Sequence, residues 1–269
     1  EYHIVHAFSK NNAGGNPAAV VINQSFSATE KQEVARKIGF SETAFIDNDN
    51  GRLMIEFYTP EKPIAYCGHA TIASVNVLRQ QGILPKGQYQ LHTKLDPITV
   101  DVEADEVFMH QQYPVFSPVD KTILTALQLP HQNITEAIIA GNGVRYLLVA
   151  LNDATALYQM QPDEQILYNY SADNDLVGMY AYVKQDDKIL SRMFAPYYGI
   201  PEENATGMAA GLLAGWLHHH SGNTINQLQI EQGFSPRMKE RGYLSATVRF
   251  NQPVPVVARK LHTLLDVGL

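Results

Sequence analysis

One cysteine, Cys67, stands among 269 residues. No internal disulfide can form, so the chain reads as the product of a reducing compartment and is expected to be cytoplasmic. A mechanism that needs two thiols from one chain is excluded. Long apolar runs are missing too: the longest, 208–217, has ten residues and includes two glycines, where a membrane-spanning helix needs about 20. The opening Glu1-Tyr2-His3-Ile4-Val5 has neither a basic n-region nor an apolar h-region, so no signal peptide is read there. Basic excess is absent: 20 Lys and Arg against 27 Asp and Glu give a net charge of −7, which argues against a nucleic-acid partner. There is no Walker-type loop, no spaced His/Cys/Asp set for zinc and no nucleophile elbow. Gly141-Asn142-Gly143 lacks the third glycine of a dinucleotide fingerprint and reads as a turn. Neither a metal nor a cofactor is expected.

What is present is an ordinary globular composition, 45% apolar and 17% charged, long enough to bury roughly three-quarters of its unfolded surface. Several segments alternate with period two: Tyr2, Ile4, His6 and Phe8; Leu53, Ile55 and Phe57; Leu244, Ala246, Val248 and Phe250. Valine-rich or aromatic runs at 98–102, 144–150, 179–183 and 190–194 predict further strands. Helices are fewer. Ser27-Ala28-Thr29-Glu30 is a capping box leading to Val34, Ala35 and Ile38, with Gly39 as the stop. Ser117-Pro118 predicts the start of a helix carrying Ile123, Leu124 and Leu127. Strand-rich with few helices, the pattern favours an α+β fold over regular βαβ alternation.

Two segments resemble each other. Glu56-Phe57-Tyr58-Thr59-Pro60 continues to Cys67-Gly68-His69-Ala70-Thr71; Met193-Phe194-Ala195-Pro196 continues to Thr206-Gly207-Met208-Ala209-Ala210. Phe57 and Phe194 are 137 positions apart, Gly68 and Gly207 139. Each segment is a strand, a proline-bearing loop, a glycine and a helix apolar nearly all round, which must be buried on every side. An internal duplication is expected, each half wrapping a sheet around a central helix; chance similarity is the competing reading.

A glycine ahead of a buried helix leaves helix-start N–H groups available to an anion. Gly68 and Gly207 supply two such starts, which would suit a carboxylate-bearing small molecule if the halves face one another; simple packing devices are the alternative. Glu42 shares a face with Ala44 and Ile46, so desolvation is expected to raise its pKa toward the range useful for proton transfer, unless it sits at a wet strand end. His69 is placed to donate to an anion or move a proton, or is a satisfied structural histidine. A helix start would lower the pKa of Cys67; a buried small apolar residue is the plainer reading. Glu203 holds a comparable place in the second half, or forms with Glu202 a solvated acidic loop. His218-His219-His220 point apart on a helix, so they make no metal face and suit a helix C-terminus.

Val5-His6-Ala7-Phe8 leading to Gly15-Asn16-Pro17-Ala18-Ala19-Val20-Val21, then Ser41-Glu42-Thr43-Ala44-Phe45, resembles the start of the phenazine-biosynthesis PhzF-like proteins. Phe57-Tyr58-Thr59-Pro60 with Cys67-Gly68-His69-Ala70-Thr71 is similar to the next family block. So is Phe194-Ala195-Pro196 with Gly199 through Thr206-Gly207, and Gln232-Gly233 with Arg237 resembles the last. The resemblance spans residue 4 to about 250. It implies a diaminopimelate-epimerase-like fold: two pseudo-symmetric halves, each a mixed sheet curled around a central helix, with the active site between them. It also implies Glu42 as general acid/base, working without metal or cofactor, with His69 and Glu203 beside it. Gly68 and Gly207 mark helix ends that hold substrate, and Asn16, Cys67, Thr206 and Met208, in the matching motifs, join them as substrate-binding residues. The family usually shows Asp-Pro-x-Thr-Gly-Ser where this chain has Glu203-Asn204-Ala205-Thr206-Gly207-Met208. The longer acid and the lost hydroxyl point to a different substrate.

The expected lobes are 1–114, completed by 252–269, and 115–251. The expected activity is a cofactor-independent isomerase that moves a proton between carbons of a small carboxylate-bearing metabolite. The alternatives are an epimerase or racemase using Cys67 and Glu203, or a non-catalytic small-molecule binder of the same fold. A small-molecule substrate is the expected partner, with no nucleic acid or membrane; a homodimer stands among the expectations, though no sequence feature settles it.

Overall fold

A computed structural model of the chain describes residues 1–10, 13–22, 25–49, 51–239, 241–247, 255–258 and 264–267. Alternating apolar residues build the first sheet from β1 (Tyr2–Ala7) and β2 (Asn16–Ile22), which pair antiparallel. A helix, α1 (Ala28–Ile38), then carries the chain to β3 (Thr43–Asp49), parallel to β2. The capping box forms as expected: Glu30 N–H donates to Ser27 Oγ at 3.3 Å and Ser27 N–H to Glu30 Oε2 at 2.8 Å, and Gly39 ends the helix in the left-handed region. β4 (Arg52–Tyr58) and the short β5 (Pro63–Ile64) complete the run antiparallel.

Next comes α2 (Gly68–Gln80), buried continuously from Gly68 to Leu78. It packs on β1, β2 and β3, and on β8 (Val107–His110), which forms a second sheet with β6 (Gly87–Leu91) and β7 (Ile98–Val102). A helix apolar on all sides is thus enclosed between two sheets. These elements belong to a first compact unit, Glu1–His110 with Val257–Leu269; the second unit is Gln111–Val256.

The second unit is built on β9 (Val115–Ser117), β10 (Ile134–Gly141), β11 (Arg145–Leu151), β12 (Gly178–Gln185), β13 (Lys188–Ala195), β14 (Ile200–Glu203), β15 (Gln227–Gln232) and β16 (Gly242–Thr247). One sheet runs β16-β15-β13-β12-β11-β10-β9, with β14 paired to β13. Between β11 and β12 lie α3 (Ala154–Gln159) and α4 (Glu164–Asn174), and between β14 and β15 lies α5 (Gly207–His220). α5 is buried over most of its length and packs on β10, β11, β15 and β16. An apolar cluster including Leu127, Leu147, Leu157, Leu167, Met179 and Phe194 fills the space beneath α3 and α4. Two further strands, β17 (Pro255–Ala258) and β18 (Leu264–Val267), extend the sheets of the first unit, β17 beside β8 and β18 beside β1. Three sheets and two buried helices make this the expected α+β fold.

The matched segments share one local plan. In the first unit β4, β5 and a glycine lead into α2; in the second β13, β14 and a glycine lead into α5. Both residues ahead of those glycines, Cys67 and Thr206, are extended and make no side-chain cap.

The sequence reading of the elements differs from the structure in two places, and one strand expectation lies partly outside the described residues. Ser117 ends strand β9, opposite Ile139, and the helix expected from it begins instead at Asp120, as a 3-10 helix over Lys121–Leu127 whose cap accepts from Thr122 N–H. α3 and α4 went unread, although Asp153 and Asp163 cap them. Val248 and Phe250 lie outside the described residues. The Gly141-Asn142-Gly143 turn is as expected, linking β10 to β11 with Asn142 N–H donating to Val144 O at 3.1 Å. Among the described residues no helix is long and apolar enough to cross a membrane.

Candidate active site

In the first unit, local backbone chemistry delivers four side chains to one place. Gly15 has φ +85°, and a Cβ there would stand 2.4 Å from Ala7 O, so only glycine lets the chain turn from β1 and present Asn16 at the first position of β2. Glu42 immediately precedes β3, and its carbonyl accepts from Ala19 N–H at 3.2 Å, which aligns it beside β2. Cys67 and His69 flank Gly68 at the start of α2.

His69 Nε2 lies 3.1 Å from Glu42 Oε2. Its other nitrogen, Nδ1, lies 3.3 Å from Asn16 Nδ2 and 3.5 Å from Cys67 Sγ. All four side chains are buried, Glu42 only 7% exposed, so it does not sit at a wet strand end. Burial pushes the Glu42 carboxyl up, but the charge of His69 and hydrogen bonds from His69 and Ser41 outweigh it and hold the group below its usual value. That corrects the expected rise: desolvation operates as anticipated and loses to an ion pair. Burial alone would lower the His69 imidazole; Cys67 and Glu42 together take it well above its ordinary value. For Cys67 the plainer reading, a buried small residue, holds: it is buried, and burial raises the thiol by more than His69 and the Ala70 N–H draw it down, so the helix-start lowering does not prevail.

Glu42, Cys67 and His69 bring ligand-type atoms within 4.8 Å of one another. The ring, however, turns a different nitrogen to each neighbour. Its Nε2 faces the Glu42 carboxylate and its Nδ1 the Cys67 thiol.

In the second unit Glu203 ends β14, and Thr206 Oγ1 donates to Glu203 Oε2. Gln232, fully buried at the end of β15, accepts from Thr206 N–H at 2.9 Å and donates to Glu203 O and Thr206 Oγ1, each at 2.9 Å. Gly207 opens α5, with its carbonyl taking a hydrogen bond from Gln111 Nε2 at 3.1 Å; Met208 follows, half-buried. Gln232 appeared in the sequence only as part of a family motif, and Gln111 carried no signal.

The competing reading of Glu202-Glu203 as a solvated acidic loop does not hold for Glu202. The Glu202 side chain is 3% exposed and meets the Arg192 guanidinium twice, at 2.8 and 2.9 Å, with Ser235 Oγ donating to it at 3.0 Å. Arg192, itself buried, spends its remaining nitrogen on Leu157 O and Met160 O at 2.8 and 2.6 Å. The three histidines end α5 and diverge as expected: His218 is buried with Nδ1 2.9 Å from Ile225 O, while His219 and His220 are exposed.

Comparison with known proteins agrees with this architecture. The family model described as phenazine biosynthesis-like protein matches residues 5–258. The chain is 28% identical over 245 residues to the uncharacterized isomerase YfhB of Bacillus subtilis, covering 84% of each chain. It is 28% identical to the trans-2,3-dihydro-3-hydroxyanthranilate isomerase of Pseudomonas chlororaphis over 86% of this chain and 85% of that one. Among solved structures, a PhzF-family protein of Bacillus anthracis superposes with a TM-score of 0.83 at 20% identity, covering 100% of this chain and 98% of that one. The protein is therefore an isomerase by class. Within that class, the chain belongs to the phenazine biosynthesis-like family, PhzC-PhzF.

Proposed function

We propose that the chain moves a proton between two carbons of a small carboxylate-bearing metabolite, with Glu42 as general acid/base and no cofactor. The observation that carries this reading is the buried contact between Glu42 and His69 at 3.1 Å. Two opposed forces set the basicity of Glu42: burial raises it and His69 lowers it. A ligand that draws His69 toward itself leaves burial unopposed and makes the carboxylate a stronger base. Glu42 then takes the proton as a C–H bond breaks, the electron pair spreads into the system conjugated with the ligand carboxylate, and the O–H proton forms a new C–H bond at another carbon. Nothing is gained or lost overall, so the acid/base pair suffices for both halves.

The remaining expected residues are assigned to binding. Gly68, at the start of α2, and Gly207, at the start of α5, each offer backbone N–H groups to an anion. Asn16 and Cys67 shape the surroundings of the first helix start, Thr206 and Met208 those of the second, and Met208 contributes apolar surface that favours a substrate differing from that of the anthranilate-type relative. An epimerase relying on Cys67 is the weaker reading, because burial keeps that thiol protonated.

The test is deuterium wash-in from D2O into a panel of cyclic and branched carboxylates, including trans-2,3-dihydro-3-hydroxyanthranilate, followed by NMR. Exchange by wild type and not by Glu42→Gln supports the reading; exchange that survives Glu42→Gln sinks it. Thermal stabilisation by a compound that never exchanges marks a binder instead.

A further inference from the structure

Cys67 stands at the start of a buried helix with an imidazole nitrogen 3.5 Å from its sulfur. A thiol so placed is ordinarily drawn toward thiolate, because the imidazole takes its proton. Here the thiol is pushed up instead. Burial is the largest cause, and a further one is legible in what else touches that nitrogen.

His69 Nδ1 lies 3.3 Å from Asn16 Nδ2. An amide nitrogen carries hydrogens and never accepts, so at this contact Nδ1 is the acceptor and presents its lone pair. A neutral imidazole has one hydrogen for its two nitrogens, which places it on Nε2, 3.1 Å from Glu42 Oε2. The other neighbours agree. Burial keeps the Cys67 thiol protonated, so its S–H also faces Nδ1 as a donor. The Glu42 carboxyl is held below its usual value, so at Nε2 the ring meets an acceptor. Further contacts of either side chain do not reverse this direction, which follows from atom type.

Glu42, ahead of β3, and Cys67, at the cap of α2, titrate; Asn16, on β2, does not. The two acids favour a charged ring. Charging puts a hydrogen on Nδ1, where it meets the hydrogens of Asn16, so the amide opposes it.

We infer that Asn16 is a positioning residue: it fixes the hydrogen of neutral His69 on Nε2, toward Glu42, and by filling the Nδ1 lone pair it keeps the imidazole from acting as a base to Cys67. What this does for turnover rests on the reading of Glu42 as the acid/base. With the thiol idle, the carbon proton at this helix start is left to the carboxylate, and Asn16 is the residue that turns a Cys-His pair away from thiol chemistry.

The test reads the ring itself. Protein labelled with 15N-histidine, with His69 assigned by its disappearance in His69→Gln, is followed by NMR over a pH series. Wild type, Asn16→Asp, Asn16→Ala and Cys67→Ala are compared, with melting curves to verify each fold. The neutral wild-type ring is expected to carry its hydrogen on Nε2, and so is that of Cys67→Ala, which removes the thiol and leaves the amide. Asn16→Asp offers Nδ1 only acceptors and is expected to raise the His69 midpoint by at least about one pH unit. Asn16→Ala removes the donor and is expected to leave the neutral ring a mixture of both tautomers. A wild-type ring that keeps a hydrogen on Nδ1 throughout the series overturns the proposal, as does an Asn16→Asp midpoint equal to wild type. Should Asn16→Asp fail to fold, an Asn16→Ala ring still held on Nε2 alone overturns it. A Cys67→Ala ring that moves its hydrogen to Nδ1 assigns the effect to the thiol and overturns it too. Cysteine labelled with 13C at Cβ gives a single signal, since the chain has one cysteine. That signal is expected to report a thiol in wild type at neutral pH, and a thiolate there overturns the proposal. No ligand enters these measurements, so their failure stands apart from that of the Glu42 reading, which the deuterium wash-in decides.

Discussion

Glu202 and Glu203 are consecutive on β14, and their carboxylates go to different partners: Glu202 meets the Arg192 guanidinium at 2.8 and 2.9 Å, while Glu203 accepts from the Thr206 hydroxyl. Alternation along a strand sends neighbouring side chains to opposite faces. Anchoring one acid therefore aims the other, and the Arg192–Glu202 pair sets where the start of α5 finds its carboxylate.

Arg192→Lys is expected to cost about 3–5 kcal/mol, because a point charge cannot replace a planar fork and the buried Glu202 is left incompletely paired. Denaturant unfolding measures this. A loss below about 1 kcal/mol would mean that the pair behaves like a surface contact.

Glu42→Gln is expected to lower carbon-proton exchange by at least about a hundredfold, the lower end of what a positioned general base contributes. Ligand affinity, measured by calorimetry, is expected to fall far less, since the amide keeps the shape and one acceptor.

The same pair gives stability a defined pH window. Glu42 is held below its usual value of 4.5, so its contribution is complete above that value and is lost as pH falls through the lowered one. His69 is raised above its usual 6.5, so its contribution is complete below that value and is lost as pH rises through the raised one. The stability difference between wild type and Glu42→Gln, from unfolding curves at a series of pH values, is expected to be greatest between those two usual values and to shrink on both sides. A difference that does not vary with pH would show that the two groups do not share charge.

Gly242→Ala is expected to destabilise by about 1–3 kcal/mol, the cost of forcing volume into packed surroundings. The added carbon meets Ala205 Cβ and Asn204 O, so the segment carrying Glu203 and Thr206 must shift. Amide shifts at Thr206 and Gly207 report the displacement; an unchanged spectrum would contradict the clash.

Much of the fold was legible in the residues because period and punctuation were strong. Ser27, Glu30 and Gly39 bracket α1, and the all-apolar faces of the helices after Gly68 and Gly207 demanded burial on every side. α3 and α4 escaped because they cover one face of a sheet and expose aromatic residues such as Tyr158 and Tyr168, which blurs the apolar stripe. In the site, the grouping of Glu42 with His69 followed from family motifs, whereas the sign of the Glu42 shift did not. A sequence shows that a carboxylate will be buried but not which nitrogen will face it. Gln232 and Arg192 lie far from the residues they hold, and a linear reading offers no way to pair them.

The pairing of β1 with β18 has a consequence for biosynthesis. Tyr2 lies opposite Val267, so β1 waits for a partner strand that is synthesised only after the second unit. Until then the outer edge of β1 is an open row of backbone donors and acceptors, the kind of surface to which other chains add. The second unit can finish folding during this interval, whereas closure of the first carries the entropy of joining distant parts of the chain. Nascent protein is therefore exposed to misassembly, and in need of chaperone cover, along this edge of β1 until β18 is made.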